Sequence, residues 1–141
     1  MSFTSAQIAQ MLRPIAKQRV LHDAKGHAHV SQQDVLAHLI RVFGFGNFDI
    51  DVLNAEMVFE ESYEKQKKDK EGRPYGDPYK AWDVCYRAMV RLTIRDPHGN
   101  EVCHYENGST ATAQGQPSRG DAHDLSYKSA ISLSVKRAAI A

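Results

Sequence analysis

The residues with the clearest chemical potential in this chain are basic side chains near its end. Lys128, Lys136 and Arg137 lie within 127–141, where almost every other residue is alanine, serine, isoleucine or valine. Acidic residues, which usually neutralise surface lysines, are missing from that segment. Just upstream, 106–120 is rich in glycine and hydroxyl residues, which we interpret as a loop. Unpaired cations on a rigid element beside such a loop are suited to bind a polyanion.

A second basic set lies on a predicted strand. Over 84–95 the even positions are apolar, whereas Arg87, Arg91 and Arg95 occupy odd positions four residues apart. Because alternate residues of a strand point to opposite faces, one face is core and the other carries a row of arginines. This row could border a groove and contact phosphates without reading the base sequence. The alternative is that the arginines solvate an exposed sheet face and pair with nearby acidic residues.

Two helices are predicted before the first strand of the chain. A hydroxyl residue at position 4 or 5 can cap a helix that ends near Leu12. Ser31 can cap a second, amphipathic helix that ends at Gly44. The polar stretch between them predicts a loop over 17–29.

The middle of the chain predicts three strands. Apolar residues alternate with polar ones from 48 to about 59, and the strand at 84–95 follows. Between these strands, 62–80 is highly charged and contains glycine and proline, which predicts a solvated, mobile loop. A turn at 96–100 then leads into a partner strand at 101–106.

A third helix closes the pattern. Asp121 can cap it, and four residues at helical spacing form its predicted packing stripe: Tyr127, Ile131, Val135 and Ala138. The order of elements predicts an α+β fold, with an antiparallel three-stranded sheet and helices packed on one side. We expect one domain over 1–141. The helix pattern stops at Ala141 without a cap, so we expect a chain truncated at its C-terminus.

The bulk composition narrows the class of protein. The formal net charge of +1 neither requires nor excludes a polyanion partner, because acidic residues elsewhere can balance a basic groove. Two cysteines without Cys-x-x-Cys spacing favour a reducing compartment. No apolar run approaches ~20 residues and no secretory signal precedes the first helix. These features predict a cytoplasmic protein with no membrane partner.

Catalytic and metal-binding patterns are weak. Candidate metal ligands are few and scattered: His27, His29, Cys103 and His104. We therefore expect no metal and no cofactor, and the chain has no phosphate-binding loop for ATP. A metal-dependent nuclease that uses Asp49, Asp51 and the histidines is an alternative, although those aspartates fit the wet face of a strand equally well. We expect that the protein is not an enzyme.

Four segments together resemble the Rad-fifty-two/Rad-twenty-two family of single-strand annealing proteins. The resemblance runs from about Arg19 to the end of the chain. It is carried by residues 35–48 (VLAHLIRVFGFGNF), 90–96 (VRLTIRD), 106–109 (ENGS) and 127–139 (YKSAISLSVKRAA). The last of these is the most specific.

The resemblance implies a β-β-β-α core that assembles into an oligomeric ring. Single-stranded DNA would lie in a positive groove around the ring, with its backbone inward and its bases outward. Complementary strands could then anneal without ATP. In the family pattern a Lys-Arg pair on the last helix contacts the backbone, which implies that role for Lys136 and Arg137.

Other basic positions carry over from the same resemblance. Lys128 falls on a basic position of the closing helix, and Arg19 falls at the family's groove arginine. Arg95 matches a strand cation linked to a second, outer DNA site, and Arg119 is a looser candidate for that site. With the strand arginines, the predicted DNA contacts are Arg19, Lys128, Lys136, Arg137, Arg95, Arg119 and Arg91.

The chain departs from the family pattern at three places. Residues 62–80 enlarge a hairpin that is usually tight, His29 replaces an aromatic residue, and Ile140 replaces a further basic one.

The leading hypothesis is ATP-independent annealing of single-stranded DNA in homologous recombination and double-strand break repair. The expected partners are single-stranded DNA, double-stranded DNA at a second site, and further copies of the chain in a ring. The recombinase partner is unknown, and the setting is a bacterial or phage-type cytoplasm or nucleoid. Besides the nuclease, the alternative is a self-assembling structural module without nucleic acid.

Overall fold

The computed structural model describes residues 3–22, 26 and 28–140. Three α-helices lie within these residues: α1 (Ser5–Met11), α2 (Gln32–Phe43) and α3 (Arg119–Ile140). A short 3-10 turn spans Lys17–Arg19. The described strands are β1 (Leu21–His22), β2 (Ala28–His29), β3 (Phe48–Lys68), β4 (Pro74–Arg95) and β5 (Glu101–Gln116).

The main sheet confirms the predicted α+β class. Strands β3, β4 and β5 form an antiparallel three-stranded sheet in that order, with helices packed against it. Strands β1 and β2 form a separate antiparallel pair. The polar stretch at 17–29, predicted to be a loop, therefore contains a 3-10 turn and a short ladder, while 23–25 and 27 lie outside the described residues.

The first two helices begin and end as the sequence predicts. Thr4 caps α1 in a reciprocal arrangement, because its hydroxyl accepts from the Gln7 N–H at 3.1 Å and the Gln7 side chain accepts from the Thr4 N–H at 2.9 Å. The Ser31 hydroxyl accepts from the Asp34 N–H at 3.1 Å at the start of α2. Gly44, with φ 86°, ends α2 in a conformation that favours glycine.

The prediction of a charged loop at 62–80 is wrong. Strand β3 continues to Lys68 and β4 begins at Pro74, so this segment is a β-hairpin. The Asp69 carboxylate closes its turn by accepting from the backbone N–H groups of Glu71 at 2.9 Å and Arg73 at 2.8 Å. Charged side chains are compatible with strands that are exposed on both faces, and the turn fixes the pairing.

The prediction of a loop after residue 106 is also wrong, since β5 continues to Gln116. Its small residues serve packing rather than flexibility. Ser109 and Ala113 are buried, and a Cβ atom on Gly108 would lie 2.6 Å from the Ala88 carbonyl oxygen. Small side chains are therefore required where β5 passes close to its neighbours.

Helix α3 starts two residues earlier than predicted. The Ser118 hydroxyl, not Asp121, serves as the cap and accepts from the Asp121 N–H at 3.3 Å. Two residues of the predicted packing stripe, Val135 and Ala138, are buried, whereas Tyr127 is 42% exposed and Ile131 is half-buried. The buried positions are mostly small: Ala122, Ser126, Ala130, Ser134, Val135 and Ala138.

Small residues let α3 approach the strands closely enough for side-chain to backbone hydrogen bonds. The Ser126 hydroxyl donates to the Ala111 carbonyl at 2.7 Å. The Ser134 hydroxyl lies 2.7 Å from the Ala130 carbonyl of its own helix and 3.2 Å from the Ala88 carbonyl of β4.

The chain divides into two compact units. Unit 1 comprises residues 1–51, 90–107 and 135–141, and unit 2 comprises 52–89 and 108–134. The apolar core of unit 1 is formed by Val35, Leu39, Val42, Phe43, Val90, Leu92, Ile94, Val135 and Ala138. That of unit 2 contains Ala81, Val84, Cys85, Ala88, Ala113, Ala122 and Ala130. Whether 1–141 acts as a single domain stays a prediction.

Strand β4 has the predicted apolar face on its even positions, of which Val84, Ala88, Val90, Leu92 and Ile94 are buried. Three residues at odd positions of β4, Ala81, Cys85 and Thr93, are buried as well. None of the described helices is long and apolar enough to cross a membrane.

Candidate nucleic-acid interface

A cavity of about 420 Å³ in unit 1 brings one predicted contact, Arg19, next to the end of α3. Its walls come from α1, α2, the segment between them and α3, and include Gln10, Arg13, Arg19, Val35, His38 and Ala139. Lys136 precedes Ala139 by three residues, so the two side chains lie on the same side of α3. Arg137 is exposed on the neighbouring side of the helix.

Arg19 is held in place by a carboxylate. Its Nε lies 3.0 Å from both oxygens of Asp34, and one terminal nitrogen lies 2.8 Å from Oδ2. Both side chains are mostly buried, at 25% and 21% exposed. The hydrogen bond from Arg19 lowers the pKa of Asp34 and, conversely, Asp34 raises the pKa of Arg19. The guanidinium is thus oriented rigidly but is not free of negative charge.

The strand arginines pair with acidic residues, as the alternative interpretation of the arginine row predicts. Arg91 donates to Glu106 at 2.8 and 2.6 Å, and Arg95 donates to Asp49. In unit 2, Arg87 pairs with Glu56 in the same manner. The pairs of Arg91 and Arg87 are exposed at both partners, so their carboxylates compete only weakly with another anion.

Two predicted contacts in unit 2 are also paired. The expectation that Lys128 is unpaired is wrong, because its ammonium lies 2.8 Å from Asp124, four residues earlier on α3. Arg119 donates to Glu60 at 3.0 Å, and its guanidinium lies 5.2 Å from the centre of the Trp82 ring.

Lys136 differs from these residues. Its side chain is half-buried on α3, and no carboxylate within the described part of the chain forms an ion pair with it. Its position beside the Arg19 cavity makes it the strongest candidate for a contact to an external anion.

Sequence reasoning missed the carboxylates that neutralise the predicted cations. Glu60 accepts from both Arg119 and His123, whose other ring nitrogen lies 2.6 Å from the Tyr86 hydroxyl. Hydrogen bonds from His123 and then Arg119 lower the pKa of Glu60. Glu60 is separated from both partners by about sixty positions in the chain, so no local spacing indicates the cluster. The Asp124–Lys128 spacing, in contrast, could have been recognised.

His38 is a further residue of the unit 1 site that the sequence did not single out. It lines the Arg19 cavity, and its Nδ1 atom is buried without a hydrogen-bond partner among the described residues. Burial lowers the pKa of His38, and the nearby positive charges of Arg19 and Arg41 lower it further.

Acidification should therefore destabilise the protein through His38. Below pH ~6.5 the unfolded state takes up a proton that the folded state resists, so the free energy of unfolding falls as pH drops from about 7.5 to 5.5. In the His38→Gln variant, we expect the free energy of unfolding to fall less over this pH range. Urea denaturation of the parent and the variant at several pH values measures the free energy of unfolding, and an unchanged pH dependence in the variant would contradict the prediction.

Among the described residues, no group of three or more histidine, cysteine, aspartate or glutamate side chains is arranged to hold a metal ion. His27 lies outside the described residues. Cys103 is half-buried, and His104 lies 3.4 Å from Glu101. Asp49, a residue of the alternative nuclease site, is engaged by Arg95.

An antiparallel three-stranded sheet followed by a long helix with a Lys-Arg pair defines a β-β-β-α protein with a cationic C-terminal helix. The chain belongs to the Rad52/22 family of double-strand break repair proteins, whose family model matches residues 2–141. Membership implies single-strand annealing in DNA double-strand break repair and recombination, by proteins that anneal DNA rather than act as enzymes. A comparison with curated proteins found no match.

Proposed function

We propose that this protein binds single-stranded DNA and anneals complementary strands without ATP. The proposed groove lies in unit 1, where Lys136 and Arg137 contact the sugar-phosphate backbone and Arg19 contributes from the neighbouring cavity. The observation that carries this proposal is the position of Lys136, which has no carboxylate partner in the described chain and lies one helical turn from the cavity wall.

The Arg19–Asp34 pair suits a positioning role. A guanidinium fixed by a bidentate carboxylate can still donate from its remaining N–H groups, and phosphate oxygens are good acceptors for them. Contacts of this kind fix the backbone and leave the base edges free to test a second strand for complementarity.

The cations that already have a carboxylate partner are proposed as secondary DNA contacts. Exposed ion pairs are worth about 0–1 kcal/mol, so a phosphate can displace the carboxylate at Lys128 or Arg91 at little cost. Arg95 is proposed as a contact of an outer DNA site that also accepts duplex. Arg119, in unit 2, is proposed separately as a contact for DNA outside the groove.

Self-assembly into a ring is part of the same proposal. Strand β3 forms one edge of the main sheet. In unit 2 it exposes five large apolar side chains, namely Val52, Leu53, Met57, Val58 and Phe59. An exposed apolar edge strand favours association with another copy of the chain. The same proposal places the protein in a bacterial or phage-type cytoplasm, near the nucleoid.

Annealing of two complementary labelled oligonucleotides tests the function directly. We expect the protein to accelerate duplex formation without nucleotide or metal, and to lose this activity as salt rises, because phosphate contacts are screened and release counterions.

Size-exclusion chromatography with and without oligonucleotide tests the two alternatives. The DNA should elute together with the assembled protein. Assembly without DNA binding would favour the structural module, and cleavage of the DNA with Mg²⁺ or Mn²⁺ would favour the nuclease.

A further inference from the structure

The hairpin at 62–80, here called the arm, extends both strands of the β3–β4 pair in unit 2. None of its residues is buried. Its shape is maintained by the Asp69 turn and by Gln66, whose side-chain amide donates to the carbonyls of Tyr75 at 2.8 Å and Gly76 at 2.9 Å. The arm is therefore an ordered ribbon that buries no core of its own.

The arm differs from five of the seven predicted DNA contacts in the state of its charges. It contains five lysines and one arginine against four acidic residues. The Arg73–Glu71 pair is the ion pair found there among the described residues. The lysines, in contrast, have no carboxylate partner in the described chain: Lys65, Lys67, Lys68, Lys70 and Lys80. At Arg19, Arg91, Arg95, Arg119 and Lys128 a carboxylate is already in place.

These charges occur together with aromatic rings on one open concave surface. It has a volume of about 630 Å³ and is lined by Glu64, Lys65, Gln66, Lys67, Lys68, Tyr75 and Tyr79. The Lys67 ammonium lies 6.0 Å from the centre of the Tyr79 ring, and Tyr75 is 53% exposed. Lys65 and Lys67 are two residues apart on β3, so they point to the same face.

We infer that the arm is a separate binding site for single-stranded DNA. Lys65 and Lys67 contact successive phosphates, and the exposed Tyr75 ring stacks on an unpaired base. Cations that follow the backbone, combined with aromatic side chains, are how proteins bind single strands without sequence preference. In a duplex the bases remain stacked on one another, so a duplex would contact only the lysines of the arm and not the Tyr75 ring. The inference takes its ligand class from the proposed function but rests on other residues, in unit 2 instead of unit 1.

The simpler explanation is a solvated ribbon whose lysines provide solubility. It accounts for the exposure of the charges but not for the concave face that lysines share with two tyrosines. It also predicts that loss of the lysines has no effect on DNA binding beyond the change in net charge.

The test compares binding of a fluorescent oligonucleotide over a salt titration. The double variant Lys65→Gln, Lys67→Gln should flatten the slope of log affinity against log salt by about 1.4, at ~0.7 per lost phosphate contact. Tyr75→Ala should weaken binding about fivefold or more at every salt concentration while leaving the slope unchanged. Thermal melting checks that each variant folds.

Two matched controls separate a site from a general charge effect. Lys17→Gln with Arg41→Gln removes the same charge from exposed positions outside the arm and should keep the parent slope, whereas Lys65→Arg with Lys67→Arg should restore binding. An arm variant with the parent slope, or one no weaker than the matched control, overturns the inference. A normal slope in the Lys136→Ala, Arg137→Ala variant together with a flattened slope in the arm variant refutes the unit 1 site and supports the arm.

Discussion

Replacing Lys136 and Arg137 by alanine is expected to abolish strand annealing and to flatten the salt dependence of oligonucleotide binding by about 1.4. The slope follows from the loss of two phosphate contacts, each worth ~0.7 for a single strand. The fold should persist, because Arg137 is exposed, Lys136 is half-buried and alanine is the best helix former. Fluorescence anisotropy over a salt titration and an annealing assay measure both effects.

The matched control for this variant removes two positive charges elsewhere. Lys17 and Arg41 are exposed and do not line the Arg19 cavity, so Lys17→Ala with Arg41→Ala should anneal DNA like the parent. If the Lys136, Arg137 variant binds oligonucleotide with the parent affinity and slope, then the assignment of these two residues is wrong.

The second large effect concerns the fold. Gly108→Ala should lower the free energy of unfolding by about 1–3 kcal/mol, since the new methyl group would sit 2.6 Å from the Ala88 carbonyl oxygen and 3.2 Å from the Met89 Cε. The nearest obstacle is backbone of the central strand, which cannot move aside as a flexible side chain would. Urea denaturation gives the change in unfolding free energy.

Gly120 provides the control for this substitution. A Cβ atom there would meet nothing within 4 Å, and the residue lies in the first turn of α3. Gly120→Ala should therefore be neutral or stabilise the protein by up to about 1 kcal/mol, because it restricts the unfolded chain. Equal destabilisation by both substitutions would show that the contact at Gly108 is not the cause.

Local signals in the sequence were sufficient for the first two helices and the alternating face of β4. A hydroxyl cap followed by an apolar stripe places α1 and α2, since both signals act within a few residues. The Gly44 end of α2 needs only a glycine in a left-handed conformation. The bounds of these helices and the alternation of β4 depend on residues that are close in the chain, so they could be predicted without the tertiary structure.

The lengths of the strands depended on distant contacts. Residues 107–116 resemble a loop because they are small, yet they continue β5 where Ser109 and Ala113 are buried and the Ala111 carbonyl accepts from Ser126 on α3. Residues 62–80 resemble a loop because they are charged, yet the Asp69 turn closes them into a hairpin. Composition alone cannot distinguish a polar loop from an exposed or tightly packed strand.

The sequence by itself determined the family, the α+β class and the positions of the cations, because these depend on residue identity and short-range periodicity. Except for Lys128, whose partner Asp124 lies four residues earlier, only the tertiary structure decided which cations are neutralised. Asp34, Glu60 and Glu106 approach Arg19, Arg119 and Arg91 from 15 to 59 positions away in the chain. Ion pairing depends on distance in space, which long-range folding sets, so a basic residue in the sequence need not be a free charge in the protein.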